Sequence, residues 1–471
     1  MAKKNELPAL MASLLITFGL LGGGAWWLKN NLFENTGYSG NNTEQSGGNS
    51  SGNSINLGGA DGSAGRSVLS GKPVSEAKQN GLDALANGDY STAEAEFTAA
   101  LAAQKNDPES LIYLNNAKIG DARAYTLAVI VPAGSSESAA EELMRGAAQA
   151  QTDINDSGGI AGRDLKLLLI NDDDDKDTAA NIAADLVDNS DVLGVVGHYS
   201  SGTTLAAAPV YEEGGLPMIS PTSTAVDIAN AGDFIFRTVP SDRLAAATLS
   251  RYTLNELNKT KAAVFFTSDS AYSKSVKSEF TTELLSNGGE VIADFDVQAS
   301  GFDPDDALRE AEAQGADILM LALNTATIEI ANDVIQANAQ TLPMLGGDSL
   351  YNPIILQESQ GDALGLTVAV PWHILSHEQT PFVQASRQLW GGDVNWRTAT
   401  AYDAVRTLAA GLEEKQNREG LAEALADGIN IEGATDSIRF LPTGDRNQPS
   451  QLVEIVPGNR SGSGYDYVPV R

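Results

Sequence analysis

Between Val195 and Ala225 the chain runs VVGHYSSGTTLAAAPVYEEGGLPMISPTSTA. The pattern is a buried strand, a Gly/Ser/Thr turn, a helix, a short second strand and a second Ser/Thr turn. Two neighbouring strands ending in hydroxyl-rich turns gather free backbone N–H and side-chain O–H groups at one place. A helix N-terminus adds partial positive charge there, which suits a small anion such as a carboxylate. In open parallel sheets ligands sit outside the carboxyl ends of the strands, where both turns lie. The segment is suited to holding a small molecule and carries no obvious reactive group.

This segment belongs to a longer alternation. Apolar runs at Thr126–Val131, Leu165–Ile170, Val192–Val196 and Met218–Ile219 are separated by helical stretches such as Ser138–Ile154 and Thr178–Val187. Ser138 and Glu141 are spaced as a capping box for the first of these helices. The series then restarts, with strand-like runs at Lys261–Phe266, Val291–Phe295, Ile318–Leu321 and Met344–Leu345. Helical patterns near Lys274–Leu285, Pro304–Gln314 and Thr327–Ala337 lie between them. The reading is α/β: two lobes of parallel sheet flanked by helices, with a ligand cleft between them. Thr367–Trp372 is expected to cross back to the first lobe, whose helices then include Phe382–Trp390 and Thr398–Glu413.

At 471 residues the chain has room for more than this pair of lobes. Leu7–Leu28 is an almost unbroken apolar run, about 33 Å long as a helix and enough to cross a bilayer. Lys3 and Lys4 precede it and Trp26 and Trp27 close it, so the expectation is a membrane anchor with the rest of the chain outside. The rival reading is a cleaved signal peptide with Gly23-x-Ala25 as its small-residue site. Residues 31–72, rich in Gly, Ser and Asn, read as a flexible linker with a reach of about 35 Å. Residues 73–120 give amphipathic helices; NGDYSTAEAEFTAAL followed by Pro108 resembles one tetratricopeptide unit. It is expected either to pack on the next domain or pair with its copy, or to dock a protein partner. The formal charge of −32 excludes nucleic acid as a partner, and the lack of cysteine excludes disulfides and thiolate metal sites.

Tyr125–Val456 resembles the periplasmic ligand-binding proteins of branched-chain and neutral amino acid ABC transporters, which have the type I periplasmic-binding fold. The motifs that carry this are DINDSGGIAGRDLKLLLINDDDD, VVGHYSSGTT, GLPMISPTSTA, FTSDSAYSKS and LGGDS, with FLPTGDRNQPSQLVEI closing the match. The resemblance implies that residues 121–457 form the ligand-binding domain. Lobe 1 takes about 124–240 and 372–435, lobe 2 about 241–371 and 436–457, and 458–471 is a C-terminal tail. It also implies that hydroxyls and N–H groups around Ser201, Thr222, Ser223 and Thr224 hold the ligand carboxylate. Asp348 takes the α-ammonium, Tyr272 lines the cleft, and Asn324 stands where a second cleft tyrosine is common. The first loop, Pro132–Ser138, is short and lacks the usual covering aromatic residue.

The implied function is capture of a neutral or branched-chain amino acid, or a related small ligand, for an ABC permease on the periplasmic side of the inner membrane. No cofactor, metal or catalytic residue is implied. His198, His373 and His377 form no metal pattern, and Ser200 and Ser201 do not fit a G-x-S-x-G elbow. His198 reads as a buried hydrogen-bonding residue. Asp172–Asp175 lacks the glycine and final glutamate of a calcium loop and reads as a solvated loop. The alternative function is an envelope regulator acting through protein contacts, in the manner of peptidoglycan-synthase activators.

Overall fold

The computed structural model describes residues 62–63, 69 and 74–470. The apolar run Leu7–Leu28 lies outside them, as does most of the expected linker. Among the described residues no helix is long and apolar enough to cross a membrane.

The end of the expected linker is attached. Gly62–Ser63 (β1) pairs antiparallel with Ile170 and Leu169 at the edge of a sheet. Leu69 is buried, and its N–H donates to Glu109 at 2.8 Å. Three helices follow: α1 (Glu76–Ala86), α2 (Tyr90–Ala103) and α3 (Pro108–Ile119). Ser75, Asp89 and Asp107 cap them, each accepting a backbone N–H from the first turn. In α3 only Lys118 is not buried.

Lobe 1 continues with β2 (Tyr125–Val131), α4 (Glu137–Asp156), β3 (Leu165–Asn171), α5 (Lys176–Asp188), β4 (Val192–Val196), α6 (Ser201–Gly214), β5 (Met218–Ser220) and β6 (Ile235–Arg237). The sheet order is β1-β3-β2-β4-β5-β6, parallel except for β1. Its central strands are buried along nearly their whole length, as expected when helices cover both faces. Helix α4 starts at Glu137 behind Ser136, which makes no side-chain cap bond. The expected capping box at Ser138 is therefore not formed, because Ser138 already lies inside the helix.

Lobe 2 holds α7 (Asp242–Arg251), β7 (Lys261–Phe266), α8 (Ala271–Ser286), β8 (Glu290–Asp296), α9 (Pro304–Gln314), β9 (Ile318–Ala322), α10 (Ile328–Asn338), β10 (Met344–Gly346) and β11 (Thr367–Val370). The chain then returns to lobe 1 as α11 (Pro381–Trp390), α12 (Trp396–Glu414) and α13 (Arg418–Ala426). A small hairpin, β12 (Ile431–Gly433) and β13 (Asp436–Ile438), precedes β14 (Gln451–Pro457) and β15 (Tyr465–Pro469). The second sheet runs β15-β14-β11-β10-β9-β7-β8. The stretch 458–471, expected as a tail, thus supplies an antiparallel edge strand to lobe 2.

Helix α12 lies close against α4. A Cβ on Gly146 would strike the Thr398 carbonyl and the Tyr402 amide, so glycine permits this backbone approach. That contact fixes the start of α12, which faces the cleft between the lobes.

Candidate functional site

The floor of the cleft is built from the two turns of lobe 1. Ser200 caps α6, accepting the Thr203 N–H at 3.3 Å. Ser201, the first residue of α6, accepts the Ala225 N–H at 3.2 Å and so ties the first turn to the second. Thr222 donates to the Tyr199 carbonyl at 2.6 Å. Beneath them His198 is fully buried, its Nδ1 2.7 Å from Asp172 Oδ2 and its Nε2 3.0 Å from the Tyr211 hydroxyl. The His198 carbonyl in turn accepts from Ser220 Oγ at 2.9 Å. This buried chain fixes the first turn.

The acidic run after β3 is only partly solvated. Asp172 belongs to the buried chain, and Asp174 accepts from Thr203 Oγ1 at 3.2 Å. Burial holds the Asp174 carboxyl above its usual range. The expectation of a solvated loop fails for these two residues because their partners lie about thirty residues away in sequence.

Lobe 2 supplies the opposite wall. Asp348 follows β10 and is 9% exposed. Burial, then the charge of Asp242, pushes its carboxyl up to about 7, with Arg397 and the Tyr272 hydroxyl opposing. Burial likewise lifts Asp242 to about 6, with the Ser275 and Thr224 hydroxyls opposing. Tyr272, on α8, accepts the Ser349 N–H at 3.4 Å. A Cβ on Gly347 would strike the Tyr272 hydroxyl, so the ring needs glycine beside Asp348. Asn324 follows β9 and accepts from Thr327 Oγ1 at 2.8 Å. Tyr199 and Thr325 hydroxyls meet at 2.9 Å across the cleft, and Ser275 accepts the Val226 N–H at 3.1 Å.

The cavity between these walls measures about 230 Å³. Ser201, Thr222, Tyr272, Asn324 and Asp348 line it. Ser223 does not; its hydroxyl is engaged with Thr204 Oγ1 at 2.8 Å and with the His198 and Tyr199 carbonyls. Thr224 sits behind the wall at 2% exposure, and neither its Oγ1 nor Asp242 Oδ2 has a partner in hydrogen-bonding geometry. Among the lining residues that escaped the sequence reading are Trp396 and Arg397. The available signal was an arginine behind the Asn395 cap of a helix whose following residues, TATAYDAV, are almost all small or apolar.

The arrangement puts donors on one side and an acid on the other. Helix α6 leaves its first-turn N–H groups without intrahelical partners, next to the hydroxyls of Ser201 and Thr222. Asp348 and Tyr272 face them from lobe 2. A small molecule with a carboxylate at one end and a cation at the other is complementary to this pair of walls.

Comparison with known proteins agrees with the fold. The family model described as periplasmic binding protein matches residues 124–462. An amino acid binding protein of Pseudomonas aeruginosa is 36% identical over 137 residues, covering 29% of this chain and 37% of that relative. That match therefore spans little more than a third of the relative's length. The Leu/Ile/Val-binding protein homolog 3 of Brucella melitensis is 25% identical over 331 residues, covering 69% of this chain and 89% of the relative. Among solved structures, an ABC transporter substrate-binding protein from Desulfitobacterium hafniense in complex with Leu superposes with a TM-score of 0.63 at 25% identity. It covers 74% of this chain and 100% of its own. A solute-binding protein of R. palustris in complex with 4-hydroxybenzoate has the same fold, with a TM-score of 0.64 at 15% identity over 74% of this chain and 96% of its own. With a two-lobed α/β architecture and a family match across most of its length, the chain belongs to the periplasmic binding proteins.

Proposed function

We propose that the protein captures an amino acid in its interlobe cleft and presents it to an ABC permease from the periplasmic side of the inner membrane, acting by binding and not by catalysis. The observation that carries this reading is the placement of Asp348 opposite the hydroxyl turns at Ser201 and Thr222. A buried carboxylate is unfavourable unless an opposite charge joins it. An α-ammonium supplies that charge, while the ligand's carboxylate reaches the N-terminus of α6. Each charge-assisted hydrogen bond adds about 1.5–3 kcal/mol. The lobes close by a hinge at the segments that cross between them, and Tyr199–Thr325 is a contact made on closure.

Packing of the helical unit against lobe 1 favours this reading over a regulator in which the helices act as a free docking module. Most of α3 is used as an internal layer. A membrane tether through Leu7–Leu28 would add local concentration near the permease, and that remains part of the proposal.

The test is calorimetric titration of the full-length protein, freed of bound ligand by unfolding and refolding, against amino acids, amides and 4-hydroxybenzoate. Micromolar or tighter binding of an amino acid, abolished in Asp348→Ala, is the expected result. A folded protein that binds none of the panel contradicts the reading, as does one whose binding is indifferent to Asp348.

A further inference from the structure

A second cavity of about 190 Å³ adjoins the cleft, sharing Tyr199, Thr325 and Arg397 with the first. A side chain would extend there from a ligand backbone held as proposed above, and the inference rests on that reading. The walls of this cavity include Ser136, Ser138, Glu142, Arg145, Asn352 and Asn395. Ala139, Tyr199, Tyr351 and Pro353 place apolar surface among these polar groups.

The charges of Glu142 and Arg145 are already matched. Arg145 donates to Glu142 Oε1 at 2.6 Å and to Glu141 Oε2 at 3.0 Å. Glu142 Oε2 accepts from the Thr398 hydroxyl and from the Asn395 N–H at 3.4 Å. Arg397 differs. It is the second residue of α12 and only 5% exposed. Its guanidinium lies 4.3 Å from the centre of its own neighbour's ring, Trp396, and donates once, to the Tyr351 carbonyl at 3.3 Å. Its Nε has no partner, and the carboxylate its charge acts on is Asp348, which lines the same cavity.

A guanidinium offers five N–H donors in a planar fork whose geometry matches a carboxylate. In the reading above Asp348 is taken by the ligand's ammonium, which leaves the buried Arg397 charge in need of an anion of its own. An aliphatic side chain in the second cavity would cover these donors and leave them unpaired, which selects against it. We propose that Arg397 selects the ligand's side chain, and that the ligand is an α-amino acid with a side-chain carboxylate, of the glutamate and aspartate class.

The ligand-stripped full-length protein is titrated with L-glutamate, L-aspartate, L-glutamine and L-leucine. At least one acidic amino acid is expected to bind about tenfold or more tighter than glutamine and leucine. In Arg397→Gln that preference should collapse, with Arg397→Lys retaining part of it. Glutamine or leucine binding as tightly as both acids overturns the side-chain assignment while leaving the amino acid reading intact. Retention of the full preference in Arg397→Gln overturns the role of Arg397. Absence of binding by all four, in a folded protein, overturns the assignment together with the reading beneath it. If Arg397→Gln does not fold, the wild-type comparison of glutamate with glutamine, the same side chain with and without its charge, still decides the ligand class.

Discussion

Two regions of this molecule bury polar side chains, and they do so in opposite ways. Where α3 meets lobe 1, Asn116 donates to the Leu167 carbonyl at 2.8 Å and accepts the Leu167 N–H at 3.2 Å. Gln151 donates to Asn116 Oδ1 at 2.9 Å and to the Leu165 carbonyl at 3.0 Å. Within the helical unit Lys78 pairs with Asp107 at 3.0 Å and Glu109 at 2.8 Å. In the cleft, by contrast, Arg397 Nε is buried without a partner, and burial lifts the Asp348 carboxyl to about 7. Buried polar groups are normally satisfied. The helical interface satisfies its own, whereas the cleft leaves an arginine donor and a raised acid unmatched. Under the proposed function, polar burial is structural in the first case and serves the ligand in the second.

The contrast can be broken most sharply at Asp348. Truncating one side of a buried, hydrogen-bonded charge pair costs about 2–5 kcal/mol of binding, so Asp348→Asn should lower amino acid affinity by two orders of magnitude or more in titration. Its effect on the ligand-free fold should run the other way. An uncompensated buried carboxylate is unfavourable, so the denaturation midpoint of ligand-free Asp348→Asn should equal or exceed that of the parent. Loss of affinity together with loss of stability would place Asp348 among the structural groups instead.

Asn116→Ala should show the converse. Removing this side chain leaves the Leu167 amide and carbonyl and one Gln151 bond without partners, at a cost of about 1–3 kcal/mol. Urea denaturation should register that loss, while ligand affinity changes less than about threefold. A comparable loss of affinity would mean that the helical layer and the cleft are coupled.

The pH dependence follows from the raised acids. Asp242 and Asp348 titrate at about 6 and about 7 in the fold, against an ordinary value of 3.8. Ionising them in the ligand-free protein is therefore uphill, so stability should fall as pH rises from about 4 to about 7. Ligand affinity should move in the opposite direction. An ammonium needs the ionised Asp348, so affinity for an amino acid should fall by up to about tenfold per pH unit below 7. Titrations at pH 5, 6, 7 and 8 would measure this, and a flat profile would remove Asp348 as the ammonium partner.

A smaller effect is expected where the lobes touch. Thr325→Val removes the hydroxyl that meets Tyr199 across the cleft at 2.9 Å. The bond is worth about 0.5–1.5 kcal/mol, so affinity should fall severalfold while the stability of each lobe is unchanged. An unchanged affinity would mean that this contact is incidental to closure.

Much of the architecture was legible because its signals are local. Val192–Val196, Lys261–Phe266 and Pro304–Gln314 occupy the spans that apolar periodicity and helix-start signals assign to them. The features that escaped depend on distant partners. Asp172 sits in a run of four aspartates yet is buried, because His198 meets it from a loop 26 residues on. Tyr465–Pro469 follows a Gly/Ser-rich stretch and reads as a tail until β14 offers an edge to pair with. Ser138 has the right spacing for a cap, but its helix begins at Glu137. In the cleft, family motifs located the walls at Ser201, Thr222, Tyr272 and Asp348, all of which line the cavity. Ser223 sits between two cleft-facing positions in sequence, and its hydroxyl turns inward to bind the first turn. Arg397 was invisible because a residue at the head of a helix shows no orientation until α12 docks on α4.

The most direct measurement is the proton count on binding. The tightest-binding amino acid would be titrated into the ligand-stripped, full-length protein at pH 6.5, in buffers of widely different ionisation enthalpy. An Asp348 that titrates at about 7 is mostly protonated there and must ionise to hold an ammonium, so roughly three-quarters of a proton should be released per ligand bound. That release should vanish in Asp348→Asn wherever residual binding can be measured. Binding without proton release at pH 6.5 would contradict the claim that the cleft holds an unmatched acid for the ligand to complete.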